Sequence, residues 1–219
     1  FLVMVGWLHY PPGKNVVRIT GVSVEQSASR RLLLVTFAAT IFVSASLLFV
    51  VQPMVGKMIL PHLGGSSSVW STCMLFFQAM LVAGYGYAHV IAQQMSPKRQ
   101  VIVHLTLMGL AVLTSLPFGL REAWLQSQSD PALWLLAALL VSIGLPLFVV
   151  SSSAPLFQHW FGFTDHPDAE DPYYLYAASN VGSMLALFGY PFFVERFFPV
   201  GQQATMWAFG FGLLVALTA

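Results

Sequence analysis

Apolar residues in this chain run in blocks of about 20. That is the length an α-helix needs to cross a hydrocarbon core near 30 Å thick at 1.5 Å per residue. Six blocks qualify: residues 32–51, 69–94, 101–117, 133–150, 173–194, and 201 to the end. The fourth can extend toward residue 161, where Pro146 and Pro155 are expected to kink or break it. Between the first two blocks, residues 52–68 stay apolar but are punctuated by Gly and Pro. This is the pattern of a broken or re-entrant piece whose unpaired backbone groups must be buried by protein. The expected fold is all-α, a polytopic transmembrane helix bundle of about six spans over residues 32–219, preceded by a flexible segment, residues 1–31. The chain opens on Phe1, and its first apolar stretch, residues 1–8, is too short to span and lacks the charged front of a signal peptide. Residues 207–219 are apolar to the terminus, with no cap or basic anchor, so the last span reads as truncated and the domain as incomplete at its C-terminus.

Composition agrees with the blocks. Charged residues are 8% of the 219, against roughly 25% in an ordinary soluble domain. Nine Lys and Arg and eight Asp and Glu are too few to wet the surface of a soluble domain this long, whereas a lipid bilayer as partner removes the need. The net charge of +1 and the lack of a groove-reading motif point away from nucleic acid. Cys73 is the sole cysteine, which excludes an intrachain disulfide and a cysteine-type zinc site. It lies in an apolar segment, as a structural thiol does.

Loop charges set the orientation, because short cytoplasmic loops are enriched in Lys and Arg. Lys14, Arg18, Arg30 and Arg31 precede the first span, so the N-terminus is expected in the cytoplasm. Lys98 and Arg99 follow the second span, back on the same side, and Arg121 falls outside. The loop 162–172 has acids but no Lys or Arg and is neutral in this argument. Six spans return the C-terminus to the cytoplasm.

In lipid, helices associate through close fit, which favours small residues at the seam. At 100° per residue Ala178, Ser179, Gly182, Ser183, Ala186 and Gly189 share one side of the fifth span, opposite Val181, Met184, Leu185 and Phe188. The second span carries a narrower seam of Thr72, Ala79, Ala83 and Gly86.

Polar groups inside a span are costly and therefore candidates for function. Gln78 and Asn180 can hydrogen-bond across helices or contact a substrate. Lys57 follows the first span in an apolar stretch. It either snorkels to the headgroups or pairs with Glu195, the one acid adjoining a span on the same expected side. The run Gly64-Gly65-Ser66-Ser67-Ser68 lacks the Gly-Lys-Ser/Thr ending of a phosphate loop and is read as a serine N-cap. The cluster from Asp165 to Asp171 has the ligand types of a metal site without diagnostic spacing, so it is read as a solvated acidic loop with no metal. No nucleophile elbow, paired-histidine metal motif or dinucleotide fingerprint is present, and catalytic residues and cofactors are expected to be none.

Several separated motifs resemble one family. The stretch Phe49-Val50-Val51-Gln52-Pro53-Met54-Val55-Gly56-Lys57-Met58-Ile59-Leu60-Pro61 and the following Leu63-Gly64-Gly65-Ser66-Ser67-Ser68-Val69-Trp70 are similar to the front of the bacterial fused spermidine-synthase-like membrane proteins. Cys73-Met74-Leu75-Phe76-Phe77-Gln78, Ala83-Gly84-Tyr85-Gly86-Tyr87-Ala88-His89, Ser152-Ser153-Ala154-Pro155-Leu156 and the run from Asp171 to Ser183 fit the same pattern. The resemblance covers residues 32–191. It implies the bacterial inner (plasma) membrane and a fused soluble C-terminal domain, aminopropyltransferase-like, that would hold any decarboxylated S-adenosylmethionine and polyamine sites. None of that domain's nucleotide-binding pattern lies in this chain. The expected function is a non-catalytic membrane domain that anchors the missing enzyme domain and handles a small cationic solute. The rivals are a transporter fragment, with Lys57, Asn180 and Glu195 near its path, and a purely structural anchor.

Overall fold

A computed structural model describes residues 24–119 and 131–219, and every regular element in them is helical. The helices are α1 Val24–Leu63, α2 Ser67–Gln94, α3 Pro97–Ser115, α4 Pro131–Leu139, α5 Leu145–Phe161, α6 Tyr173–Gly189, α7 Glu195–Phe197 and α8 Val200–Thr218. The fold is an all-α polytopic membrane bundle. Lys14, Arg18 and Arg121, used above for orientation, lie outside the described residues.

The largest departure from expectation is α1. It begins at Val24, ahead of residue 32, and continues through residues 52–63 instead of breaking there. Pro53 and Pro61 lie inside it without ending it. The reason is periodic burial: Val51, Met54, Val55 and Ile59 recur at helical spacing, and all four are buried. The helix stops at Gly64, whose φ of 70° is the left-handed turn that glycine adopts without penalty. Its N–H closes on the Leu60 carbonyl at 3.0 Å. Ser66 then caps α2, its Oγ accepting from the Val69 N–H at 3.4 Å, so the Gly-Gly-Ser run is a helix turn and a cap.

Charges mark where α1 meets water. Between Arg31 and Lys57 the helix carries no formal charge. At 1.5 Å per residue these two ends stand about 39 Å apart, close to the full thickness of a bilayer with its headgroups.

The fourth block is longer than its core of residues 133–150. The chain runs helically from Pro131 to Phe161, with one wide π-helical turn at Leu140–Gly144. Proline removes an N–H and crowds the carbonyl one turn earlier, and a widened turn accommodates both effects. Pro146 sits just after this turn, and Pro191 lies inside a second π-helical turn, Tyr190–Val194.

Among the described residues, five segments combine the length and hydropathy of a span: Ala28–Leu63, Ser67–Gln94, Ala132–Phe161, Tyr173–Phe197 and Val200–Thr218. Helix α3 is not among them, since Lys98, Arg99 and Gln100 fill its first turn. Its contacts nonetheless carry it across the bundle. At its start Gln100 accepts a hydrogen bond from the Trp160 indole, at the end of α5. Just beyond its far end Phe118 packs edge-on against Trp207 of α8. Its 19 residues reach about 28 Å, enough to cross.

Helix α1 is the hub, with α5, α6 and α8 packed along it. Helices α2 and α3 reach the core mainly through α5. The start of α1, the α2–α3 turn and the end of α5 lie at one end of the bundle, as the Phe37–Phe161 ring contact and the Gln100–Trp160 bond require. The far parts of α1 and α6 and the start of α8 lie at the other.

Candidate functional site

Two polar regions stand out: a charged cavity at one end of the bundle and a buried polar strip inside it. The cavity, about 440 Å³, is lined by α1 (Lys57, Met58, Pro61, His62), by Pro117 to Gly119 after α3, and by the first turns of α8. Lys57 Nζ stands 3.2 Å from Glu195 Oε1 and 3.5 Å from the Glu195 carbonyl oxygen. Glu195 reaches it because the π-helical turn at Tyr190–Val194 carries α6 on past Gly189. The two side chains are 34% and 45% exposed, so the pair sits at the rim, where water screens it. Among the residues lining the cavity, Lys57 and His62 are basic and none is acidic.

Gln78 and Asn180 do not join this pair. Both are exposed, on α2 and α6, and among the described residues neither side chain makes a hydrogen bond. Along α6, Asn180 lies about 22 Å from Glu195. The four polar candidates are therefore one ion pair and two separate outward-facing amides.

The α6 seam faces α1. Gly182 and Ala186 are buried, Ala178, Ser179 and Ser183 partly so, and Val181, Met184, Leu185 and Phe188 are exposed. A Cβ at Gly182 would lie 2.6 Å from the Phe42 carbonyl oxygen and 3.1 Å from Ser46 Oγ, so the two backbones touch here. The Ser46 hydroxyl donates to the carbonyls of Phe42 (2.8 Å) and Gly182 (3.2 Å). Gly189 shares the seam's angle but has nothing within 4 Å, since the helices part before the wide turn. On α2 the expected seam is corrected: Thr72 is buried, but Ala79, Ala83 and Gly86 are exposed. The buried face instead carries Cys73, Phe76, Phe77, Leu81, Gly84 and Ala88. Aromatic bulk fills most of that interface, and Gly84 alone provides close approach, to Ser151 of α5.

The interior strip was not singled out in the sequence. Ser151, Ser152 and Ser153 are consecutive on α5, and all are buried. Ser151 donates to the carbonyls of Phe148 (2.9 Å) and Met80 (3.2 Å), the latter joining α5 to α2. Ser153 donates to the Val149 carbonyl at 2.8 Å and lies 3.1 Å from His104 Nε2 of α3. His104 is 0% exposed and is surrounded by the rings of Tyr87, Phe157 and Trp160. Gln100, one turn earlier and equally buried, bridges the Trp160 indole at 2.8 Å and the Met95 carbonyl at 2.7 Å. The signal available in the sequence is weak: single Gln and His residues four positions apart, the first directly after Lys98 and Arg99, in a helix that pairs with a run of three serines.

The acidic loop is tied locally. His166 Nδ1 accepts from the Asp168 N–H at 3.2 Å and lies 3.7 Å from its carboxylate. Among the described residues no three His, Cys, Asp or Glu side chains converge as a metal site requires. A scan against protein-family models finds no match, and neither the curated proteins nor the solved structures contain one.

Proposed function

We propose that this chain is the membrane domain of a bacterial spermidine-synthase-like protein, and that it anchors a soluble aminopropyltransferase-like domain attached beyond residue 219. The motif resemblance motivates the family. The observation that supports the anchoring role is the distribution of Lys and Arg between the two ends of the bundle, together with the direction of α8. Arg30, Arg31, Lys98 and Arg99 gather at the end of the bundle where α1 begins, whereas Lys57 and Arg196 are the only Lys and Arg at the other end among the described residues. By the enrichment of Lys and Arg on the inner side, the four-residue end is cytoplasmic. Helix α8 starts at the Lys57 end, and its Trp207 and Gly210 pass Leu47 of α1, so it runs back toward the cytoplasmic end. A domain fused after Thr218 then emerges where its nucleotide and polyamine substrates are dissolved.

Anchoring is favoured over handling a cation. The cavity beside Lys57 is lined mostly by apolar residues with Lys57 and His62 and no acid, and Glu195 is already paired with Lys57. A translocation path through Lys57, Asn180 and Glu195 is disfavoured because Asn180 faces away from the bundle.

The test has two parts. The gene is read past codon 219, and the full product is assayed in membranes for aminopropyl transfer from decarboxylated S-adenosylmethionine to a diamine. Separately, a reporter fused after Thr218 is scored for cytoplasmic or external activity. A cytoplasmic reporter and a downstream aminopropyltransferase-like domain are expected. A stop codon directly after residue 219, or an external reporter, overturns the reading.

A further inference from the structure

Two buried polar atoms in the α2–α3–α5 interface lack partners among the described residues, and they are complementary. His104 Nδ1 and Tyr87 Oη are each sealed from solvent without a hydrogen bond. The Ser153 hydroxyl bears on the tautomer of His104. With the Ser153 hydroxyl donating to the Val149 carbonyl at 2.8 Å, its oxygen is left to accept from His104 Nε2–H at 3.1 Å. Nδ1 of the neutral ring is then a bare lone pair that wants a donor. Tyr87 carries a hydroxyl proton that wants an acceptor. The two rings lie nearly parallel, 25° apart in plane with centroids 6.2 Å apart.

Leaving both atoms unpaired in a low-dielectric interior costs free energy, and native interiors relieve such costs with internal water. One water can accept from Tyr87 Oη–H and donate to His104 Nδ1. Its remaining donor and acceptor would have to be met within the same interface, beside the buried α5 serines. The surrounding rings of Phe148 and Phe157 exclude bulk solvent. We infer that the α2–α3–α5 interface holds a single ordered water molecule bridging Tyr87 Oη and His104 Nδ1. The water extends the Ser153–His104 link to α2, so that the three helices share one hydrogen-bonded chain inside the membrane. This inference is independent of what the parent protein does.

The experiment is nuclear magnetic resonance on the full chain in nanodiscs, with ¹⁵N-labelled histidine and His104 assigned sequentially. Water-edited spectra are expected to show magnetisation transfer from water to the His104 ring, and the Nδ1 resonance should be displaced from the free-lone-pair position toward the hydrogen-bonded one. In Tyr87→Phe the transfer is expected to be lost and the melting temperature to fall. Absence of transfer in the unmutated protein, with Nδ1 at the free-lone-pair position, overturns the proposal. A Tyr87→Phe protein that melts higher than the parent overturns it too, because removing an orphan hydroxyl from a dry cavity is stabilising. The unmutated spectrum decides the matter even if the variant does not fold.

Discussion

Replacing Gly182 by leucine probes a close backbone approach between α1 and α6. The first carbon of any side chain there would stand 2.6 Å from the Phe42 carbonyl oxygen, where ordinary contact begins at 3.4 Å. No rotamer avoids this, because Cβ position is set by the backbone, and the obstacle is backbone as well. Helices α1 and α6 must therefore separate by about 0.8 Å, a gap that forfeits a quarter to a half of each dispersion contact along the seam. Overpacking of this kind costs about 1–3 kcal/mol, and a leucine belongs at the upper end. Separation also strains the Ser46–Gly182 hydrogen bond, a further loss of about 1 kcal/mol. Leucine's better helix propensity returns less than about 1 kcal/mol. The expected net loss is about 3 kcal/mol, measured as thermal unfolding in detergent together with the monodisperse yield. Gly182→Ala should fall between this variant and the parent. Gly189→Ala is the control: with nothing within 4 Å of the new methyl, it should be neutral or slightly stabilising. A Gly182→Leu protein that expresses and melts like the parent would refute the α1–α6 seam.

Other substitutions probe the remaining contacts. Gly84→Ala drives a methyl into Ser151 Oγ and should cost about 1–3 kcal/mol in melting experiments; adding Ser151→Gly should recover part of that loss, and equal losses with and without it would exclude this contact. Trp207→Phe removes the indole N–H that donates to the Leu47 carbonyl at 2.9 Å and should cost about 1 kcal/mol, seen as a lower midpoint of unfolding; an unchanged midpoint counts against that bond. A double-mutant cycle of Lys57→Met and Glu195→Gln should give a coupling below about 1 kcal/mol that shrinks with added salt, because both side chains are partly exposed; a salt-independent coupling of several kcal/mol would mean that the pair is buried in the membrane.

The spans were legible because each is set by a one-dimensional quantity, the length of an apolar run. The α6 seam was legible for a related reason: small residues at one angle record how near another backbone comes. Where the reading failed, composition and packing diverged. Residues 52–63 contain prolines that ordinarily end a helix, but Val51, Met54, Val55 and Ile59 keep a helical burial period straight through them. On α2, Ala79, Ala83 and Gly86 form as good a stripe as the one on α6, yet the helix buries its phenylalanines instead and leaves the stripe outside. Small residues permit close approach without requiring it, so a stripe predicts a seam only when no bulkier face competes for the core.

The polar residues divide by the same logic. Lys57 and Glu195 were found because formal charge next to a span is rare enough to notice, and their meeting needed only that both lie at one end of the bundle. Gln78 and Asn180 drew attention for the opposite reason, as amides within spans, and both face outward. The residues that do join helices in the interior are quieter. A serine can satisfy its own hydroxyl on a carbonyl one turn back, as Ser152 does on Val149, so a serine in an apolar block signals nothing by itself. His104 gains its meaning only from Ser153, which is 49 residues away in sequence, and from Tyr87 on a third helix. Gln100 looks like part of a basic turn until Trp160, 60 residues on, donates to it. Such partners meet only after α3 has crossed the bundle beside α5, and α3 is the helix whose hydropathy least resembles a span. Its crossing rests instead on this polar contact at one end and the Phe118–Trp207 contact at the other. The groups that lower the hydropathy of α3 are thus partly the groups that fix its place. Replacing Gln100 and His104 with leucine would make α3 look more like a membrane helix while removing two of its specific attachments to α5.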